Sequence, residues 1–396
     1  MARIPLVGPS AAARSLNSDA ERTINLYACL TDGGGQSKNP AGYLQKRPGL
    51  RPYQFTADVF AGMALAAGPV RGLFAQDGRA WGVGGTSCEE LYQSGLTSVL
   101  GTVADDTLPA VFATNGSGGF QVMLTSGGLG YILDTTSTPA GFALITAGDF
   151  PSAVVSCAFL DGYFIVLERG TSKFYLSTLE DGTAWDALDV NQVSQYSDVV
   201  QQIMVTHEEL WVFGSKHIQP WQDTGNADIP FQPVPGTMIE HGIHAPWSVV
   251  NLDNTLFWMG RDEQGALIVY RANGYTPTRI STFALETALN RAENVADAIG
   301  WAFQLEGHTF YLLYCPTMET TWVYDISTGL WDEWALWIPT TEEWRPFLGR
   351  CHAYAFNSNV HLIGDRQSPT IYQAKFPELN TGNAHAYDQI YVGTGI

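Results

Sequence analysis

Short apolar runs alternate with tight polar turns along most of the chain. From about residue 70 onward, an apolar run is followed by a turn and a second apolar run, which is the pattern of an antiparallel hairpin. The turns begin near Asp77, Gly127, Asp161, Glu208, Asp253, Glu306 and Asn357. They recur about every 47 residues on average, which is a length typical of one β-propeller blade.

Aromatic residues keep the same period as the turns. One follows each turn after roughly 13 to 18 positions, where the third strand of a blade would lie. These residues are Tyr92, Phe142, Tyr175, Trp221, Tyr270, Tyr324 and Tyr372. The pattern predicts an all-β fold, a β-propeller of seven blades, or of six if one turn belongs to an insertion. The alternative is a large β-sandwich whose turns are evenly spaced by chance.

One segment departs from the strand pattern. Between residues 282 and 299, apolar residues recur at helical spacing, Ser281 or Thr282 can cap the start, and Gly300 follows the end. The apolar positions are Leu285, Leu289, Ala292, Ala296 and Ile299. We therefore expect one amphipathic helix inserted between blades, as a packing element rather than a ligand-binding one.

The first 52 residues differ from the rest, because prolines interrupt short extended pieces throughout. We interpret residues 1–52 as an extended arm, residues 53–378 as the propeller and residues 379–396 as a C-terminal tail. The arm has too little apolar material to form a core of its own, so we expect it to dock on a neighbour, either another copy of the chain or a different protein, and its removal to leave a folded propeller. The candidate assembly residues are Ile4, Leu6, Val7, Leu26 and Tyr27.

The formal net charge is −19, from 39 acidic and 20 basic residues. Proteins that grip the phosphate backbone need basic patches, so we expect no tight binding of nucleic acid. The five cysteines are far apart and odd in number, which argues against a disulfide framework or a zinc site and favours buried thiols in a reducing compartment. No apolar stretch is long enough for a membrane-spanning helix, and the first residues do not match a signal peptide.

Catalytic motifs are missing from the sequence: there is no nucleophile elbow, phosphate loop, dinucleotide fingerprint or metalloprotease motif. His241 and His244 could share a metal ion only on a helix, and their neighbours favour a loop. The Asp-Gly pairs at Asp77, Asp161 and Asp181 lack calcium-loop spacing and are interpreted as turns. We therefore predict no catalytic, cofactor or metal site, and no enzyme.

Carbohydrate chemistry remains an alternative. Adjacent carboxylates at Glu208–Glu209 and Glu342–Glu343 point to opposite faces of a strand and cannot act together on one sugar, but carboxylates from different blades could. The tryptophans Trp322, Trp331, Trp334 and Trp337 would suit sugar stacking or an apolar core equally well.

Several segments, in order, resemble one known family. They are IPLVGPS and ERTINLY (Glu21 to Tyr27), KRPGL (Lys46 to Leu50), the stretch from Ala284 to Trp334, and Gly349 to Gln373. Together they resemble the packaged-DNA stabilisation proteins of short-tailed phages, also called tail hub or nozzle proteins. The chain has NLYACL where that family tends to have NLYPE, and few residues follow Phe376 where many members continue.

The resemblance implies a structural protein of the virion tail, made and assembled in the host cytoplasm. It implies a ring of subunits, a homohexamer, below a portal-adaptor protein, with a fibre, spike or plug protein attached. Such a ring extends the DNA channel, retains the genome and conducts double-stranded DNA without binding it tightly. The alternatives are a carbohydrate-binding or depolymerase propeller of a phage tail, and a cellular scaffold propeller.

Overall fold

The described part of the chain is made of antiparallel strands with one α-helix. The computed structural model describes residue 10 and residues 22–30, 42–53, 62–193, 198–226 and 230–376. Ile4, Leu6 and Val7 of the predicted interface, and the predicted tail at 379–396, lie outside these ranges.

Three strands precede the first blade. A hairpin is formed by β1 (Leu26–Leu30) and β2 (Gly42–Lys46), whose partners run from Leu26 opposite Lys46 to Leu30 opposite Gly42. Strand β3 (Gly49–Pro52) follows it.

Blades 1 to 3 are four-stranded antiparallel sheets made from consecutive strands. Blade 1 contains β4 (Val70–Gln76), β5 (Arg79–Gly84), β6 (Ser87–Leu91) and β7 (Thr97–Thr102). Blade 2 contains β8 (Val111–Thr114), β9 (Gln121–Ser126), β10 (Leu129–Asp134) and β11 (Gly141–Leu144). Blade 3 contains β12 (Val154–Leu160), β13 (Tyr163–Glu168), β14 (Lys173–Thr178) and β15 (Asp181–Gln192).

Blades 4 to 6 repeat this order. Blade 4 contains β16 (Val200–Thr206), β17 (Glu209–Gly214), β18 (Ile218–Asp223) and β19 (Phe231–Pro233). A short 3-10 helix (Pro246–Ser248) precedes blade 5, which contains β20 (Val250–Leu252), β21 (Thr255–Arg261), β22 (Leu267–Asn273) and β23 (Thr276–Arg279). Helix α1 (Phe283–Arg291) precedes blade 6, which contains β24 (Ile299–Leu305), β25 (His308–Cys315), β26 (Thr320–Asp325) and β27 (Leu330–Glu333).

Blade 7 joins the two ends of the described chain. A hairpin of β28 (Ala335–Ile338) and β29 (Glu343–Pro346) leads into β30 (Gly349–Ala355), β31 (Val360–Asp365) and β32 (Ile371–Lys375). The fourth strand is β3, which pairs with β32 from Gly49 opposite Lys375 to Pro52 opposite Tyr372. The predicted domain boundary at residue 52 therefore needs correction, because residues 49–52 belong to the propeller and their removal would take away a strand of blade 7.

The apolar faces of neighbouring blades form the core between them. The first strands of neighbouring blades are in contact around the centre, for example β30 with β4 and β12 with β16. Separate buried clusters lie between successive sheets, as between blades 5 and 6, where Phe257 and Tyr311 stack at 5.4 Å between ring centroids. This arrangement confirms the predicted β-propeller and fixes the number of blades at seven.

The predicted turns are confirmed in six blades as the connection between first and second strands. At Asp77 and Asp161 a residue with positive φ precedes a glycine with positive φ, as a tight two-residue hairpin turn requires. Gly127 is different, since it connects the second and third strands of blade 2. The corresponding first connection of blade 2 is a longer loop at 115–120.

The predicted aromatic residues lie on the third strand in some blades and not in others. In blades 3 to 7 the predicted aromatic lies on the third strand, and four of these five residues are buried. In blade 1, Tyr92 comes just after the third strand, and in blade 2, Phe142 lies on the fourth. The prediction is therefore wrong in blades 1 and 2: the third strand of blade 1 ends one residue before Tyr92, and in blade 2 the turn at Gly127 is one connection later than the turns of the other blades.

Helix α1 is confirmed but is shorter than predicted. The Thr282 side chain caps it by accepting a hydrogen bond from the Leu285 backbone N–H, and Leu285 and Leu289 are buried between blades 5 and 6. Ala292 ends the helix in extended geometry, and the Asn294 side chain then holds a turn by accepting from the Ala296 N–H. Ile299 already begins β24.

We predict that Leu50 is central to closure of the ring. Its side chain is 4% exposed and belongs to the core shared by β3, blade 6 and blade 7. Leu50→Ala should lower the free energy of unfolding by about 2–5 kcal/mol, the range for truncating a buried leucine. Leu188→Ala, at a leucine that is 84% exposed, is the matched control. Equal denaturation midpoints for the two variants would contradict the prediction.

Candidate functional site

The β1–β2 hairpin covers the outer edge of blade 6. Ile24 forms a parallel bridge with Glu333 at the end of β27. The Asn25 N–H donates to the Glu333 carbonyl at 2.8 Å, and the Glu333 N–H donates to the Thr23 carbonyl at 3.1 Å. An exposed sheet edge is a template for unwanted pairing, so the segment around Thr23–Asn25 protects blade 6 at this end.

Tyr27, a predicted assembly residue, is buried within its own chain. It is 1% exposed, and its ring meets those of His308 and Phe310 edge-on, at centroid distances of 4.7 and 5.2 Å. Leu26 is half-buried. Tyr27 therefore attaches the hairpin to blade 6, and docking of the arm on a neighbouring subunit stays a prediction that now depends on Ile4, Leu6 and Val7.

A charged pair reinforces the same attachment. The Arg22 guanidinium donates from Nε and Nη2 to the two carboxylate oxygens of Glu333, at 2.7 and 2.6 Å. Glu333 is almost fully buried whereas Arg22 is half-exposed. The hydrogen bonds that Arg22 donates to Glu333 raise the pKa of Arg22, so the guanidinium remains charged and the two-point contact fixes the position of residues 22–25.

Cys29, His308 and Asp325 lie in a row beneath the hairpin. The Cys29 Sγ is 3.5 Å from His308 Nε2, and His308 Nδ1 is 2.7 Å from Asp325 Oδ2. A thiol, an imidazole and a carboxylate in this order can form a nucleophilic triad. Burial raises the pKa of the Cys29 thiol, which opposes formation of the reactive thiolate, so we assign the three groups to attachment of the hairpin. Nothing in the sequence indicated that they would meet.

A second buried carboxyl group lies in the same sheet. Asp332 on β27 is 2% exposed, and burial, with a smaller effect from the Asp325 charge, raises its pKa from 3.8 to about 8. The carboxyl group of Asp332 is therefore neutral in the folded protein at neutral pH. Ionisation of this group at higher pH places a negative charge in the core of blade 6.

We predict that Asp332 makes the protein less stable as pH rises. Its pKa is higher in the folded state than in the unfolded chain, so the stability it contributes is fully present below pH 4 and is lost as pH rises towards 8. Asp332→Asn should therefore raise the free energy of unfolding, relative to the original chain, by at least about 1.4 kcal/mol more at pH 9 than at pH 4. The measurement is urea denaturation at both pH values.

The exposed variant Glu263→Gln is the control and should show no such difference between the two pH values. The prediction fails if Asp332→Asn and Glu263→Gln change with pH to the same extent.

The other chemical candidates from the sequence are separated by the fold. His241 stacks on Tyr270 at 5.2 Å between centroids, whereas His244 Nε2 lies 3.5 Å from Arg261 Nη2. Burial, followed by the Arg261 charge, lowers the pKa of His244 to about 4. Each histidine thus has its own partner, and the two do not form a shared site. Within the described ranges, no group of three His, Cys, Asp or Glu side chains could hold a metal ion.

The tryptophans that could have stacked on sugars mostly lie in the core. Trp331 and Trp334 are fully buried, and Trp322 is 8% exposed. Trp337 and Trp344 are half-buried and contact one another across the β28–β29 hairpin at 5.1 Å between centroids.

The cysteines are free thiols, and four are buried, as predicted, while Cys351 is half-buried. No helix among the described residues is long and apolar enough to span a membrane.

Comparison with protein families gives one match over nearly the whole chain. Residues 5–377 match the model of the family Phage_stabilise, described as bacteriophage P22 Gp10, beta-propeller. The matched range contains the β1–β2 hairpin and all seven blades. No curated protein matches the sequence.

Solved structures share the fold at low identity. The extracellular domain of a one-component system from B. thetaiotaomicron is 9% identical, with a TM-score of 0.52 over 82% of this chain and 41% of that chain. This chain therefore spans about two fifths of that protein. A virginiamycin B lyase from Staphylococcus aureus is 10% identical, with a TM-score of 0.49 over 79% of this chain and 97% of that chain. At 9% identity the similarity to the B. thetaiotaomicron domain concerns the fold alone.

Proposed function

Because the chain belongs to the β-propeller family of bacteriophage P22 Gp10, we propose that it is a structural subunit of a short-tailed phage tail, forming a ring that extends the DNA channel and retains the packaged genome. The observation that carries this proposal is the match over residues 5–377. A role as a virion structural protein follows from the family, and we infer that the chain is not an enzyme. The hexameric ring, its place in the tail and its adaptor and fibre or plug partners are the finer part of the proposal.

The dimensions of the propeller support a channel between subunits rather than through one. The first strands of all seven blades surround a central cavity of about 650 Å³. A DNA duplex cannot enter such a cavity, since its major groove alone is about 12 Å wide. In the proposed ring, each propeller is therefore a solid wall unit, and DNA passes through a lumen that several copies enclose.

The charge of the chain supports passage without retention on the wall. Six copies would carry a formal charge of roughly −114, six times the −19 of one chain. Like charges repel DNA phosphates over a screening length of about 8 Å at physiological salt, so the effect is strongest in a narrow lumen. Retention of the genome then depends on closure of the tube rather than on adhesion to it.

We predict weak binding of duplex DNA by the purified chain. Nonspecific DNA-binding proteins have Kd values of about 10⁻⁴ to 10⁻⁶ M at physiological salt, and this chain should bind more weakly than that range. Fluorescence anisotropy with a labelled duplex at several salt concentrations provides the measurement. A micromolar Kd that weakens steeply with salt would contradict passage by repulsion.

We predict that the first residues of the arm are needed for assembly into particles. A phage lacking this chain would be complemented with the original protein or with a variant carrying both Leu6→Asp and Val7→Asp. The variant should have the circular dichroism of the original chain but be missing from particles, which would then lose packaged DNA, because charged side chains cannot enter an apolar contact.

The matched control is Leu188→Asp, the same chemical change at an exposed leucine of blade 3, which should complement normally. Normal incorporation and DNA retention with the arm variant would contradict arm-mediated docking. Negative-stain images of the purified protein, alone and with tail components, would test the ring separately. Images that show only monomers in both cases would count against it.

A further inference from the structure

One end of the central channel opens into a second cavity of about 580 Å³. It lies at the end where the first strands of the blades begin, and its walls come from blades 2, 4, 5, 6 and 7 or from the segments that enter them. Arg350, Arg366, Gln201 and Asp297 supply its main polar groups.

Two buried arginines near this end have very different surroundings. Arg71 is 1% exposed and forms ion pairs with Asp105 at 3.2 Å and Asp106 at 3.8 Å. Arg350 is 8% exposed, donates from Nη2 to the Thr107 carbonyl at 2.6 Å, and has no carboxylate within 4 Å among the described residues. Its Nε is buried without a hydrogen-bond partner.

A buried guanidinium without a carboxylate at ion-pair distance is costly. Burial lowers the pKa of Arg350, and the nearby Arg71 charge adds to this, while the more distant Asp105 charge offsets it only in part; an arginine side chain nevertheless stays protonated under any ordinary condition. A buried cation normally has an anion or several acceptors, because desolvation otherwise outweighs its few contacts. Arg71 shows how this chain satisfies such a group, whereas Asp105 acts on Arg350 only from beyond ion-pair distance.

Arg366 adds a second positive charge to the same cavity. Its Nε and Nη2 donate to the carbonyls of Phe347 and Pro346 at 3.0 and 3.2 Å, and its guanidinium lies 5.5 Å from the centroid of the Tyr314 ring. Backbone carbonyls thus hold the guanidinium in place without neutralising it, and no ion pair forms between it and a described carboxylate. A fixed guanidinium is suited to recognition of an oxyanion.

Two hydrogen-bond acceptors on the same walls need a ligand that donates hydrogen bonds. Asp297 accepts from the Thr317 N–H and hydroxyl through Oδ2, while its Oδ1 is buried without a partner. The Gln201 Oε1 is also buried without a partner. A ligand that matches this cavity must accept hydrogen bonds from Arg350 and donate one to Asp297 or Gln201. A protonated phosphate does both, whereas sulfate at neutral pH has no proton to donate.

We propose that this end of the central channel is a binding site for free inorganic phosphate, held by Arg350 and Arg366 and oriented by Asp297. The proposal is independent of the function proposed for the tail. Two sources of the same chemistry have to be distinguished, a free phosphate and the phosphodiester of DNA. The free ion is favoured because the cavity is too small for a duplex and because a phosphodiester has no proton for Asp297.

The test is isothermal titration of the full chain with sodium phosphate at pH 7 and constant ionic strength, with sodium sulfate and a short DNA duplex as parallel arms. We expect saturable binding of phosphate, weaker binding of sulfate and no competition by the duplex. Absence of saturable phosphate binding would overturn the proposal. Displacement of phosphate by the duplex would also overturn it, by assigning the arginines to DNA.

Three variants make the test specific. Arg350→Gln should weaken phosphate binding about tenfold or more, as expected when a charge-assisted hydrogen bond is lost. Asp297→Asn should remove the preference for phosphate over sulfate, because an amide can donate to either ion, and it tests the site even if Arg350→Gln does not fold. The control is Arg271→Gln, at an arginine paired with Asp253 at the opposite end of blade 5. Equal affinity in Arg350→Gln and the control would overturn the proposal.

Discussion

Pairing of β3 with β32 is the contact on which the rest of the ring depends. A propeller blade can bury both of its faces only between two neighbours, so an open ring would leave an apolar face in water. Here the chain enters the ring through Gly49–Pro52 and leaves it through Ile371–Lys375, and these strands are hydrogen-bonded in one sheet. Opening the ring therefore requires separation of segments more than three hundred residues apart in sequence, which couples the seven blades into one unit.

Closure also explains where the N-terminal segment lies. Once β3 is fixed as the outer strand of blade 7, the preceding β1–β2 hairpin can reach the outer edge of blade 6, where Tyr27 and Arg22 attach it. Ser10 lies at the same edge, since its N–H donates to the Trp331 carbonyl at 2.7 Å and its hydroxyl accepts from the Thr23 N–H at 3.2 Å. An arm that reaches from this edge to a neighbouring subunit would begin at a rigid base. Its contacts would then fix the orientation of the two proteins as well as hold them together.

The sequence was most informative where local chemistry decides the structure. Tight turns such as Asp77-Gly78 need a positive φ, and Thr282 with Leu285 and Leu289 defines a capped apolar helix face, so these elements could be predicted. The extent of the arm could not, because a short strand such as β3 has no pattern of its own and is defined only by its partner 320 or more residues later. The contacts of Cys29 and Arg350 could not be predicted for the same reason, because each residue is surrounded by residues that are distant in the sequence.

The net charge of the chain and the charge of its cavities are separate quantities. A formal charge of −19 describes the field that DNA or another large partner meets at a distance. At one end of the channel, the local balance is reversed, because Arg350 and Arg366 face a cavity in which Asp297 is the only described carboxylate of the lining. Since fields from exposed surface charges are screened within about 8 Å while buried charges are screened much less, the two can act independently. The proposed repulsion of DNA by an acidic exterior is therefore compatible with the proposed interior site for a small anion.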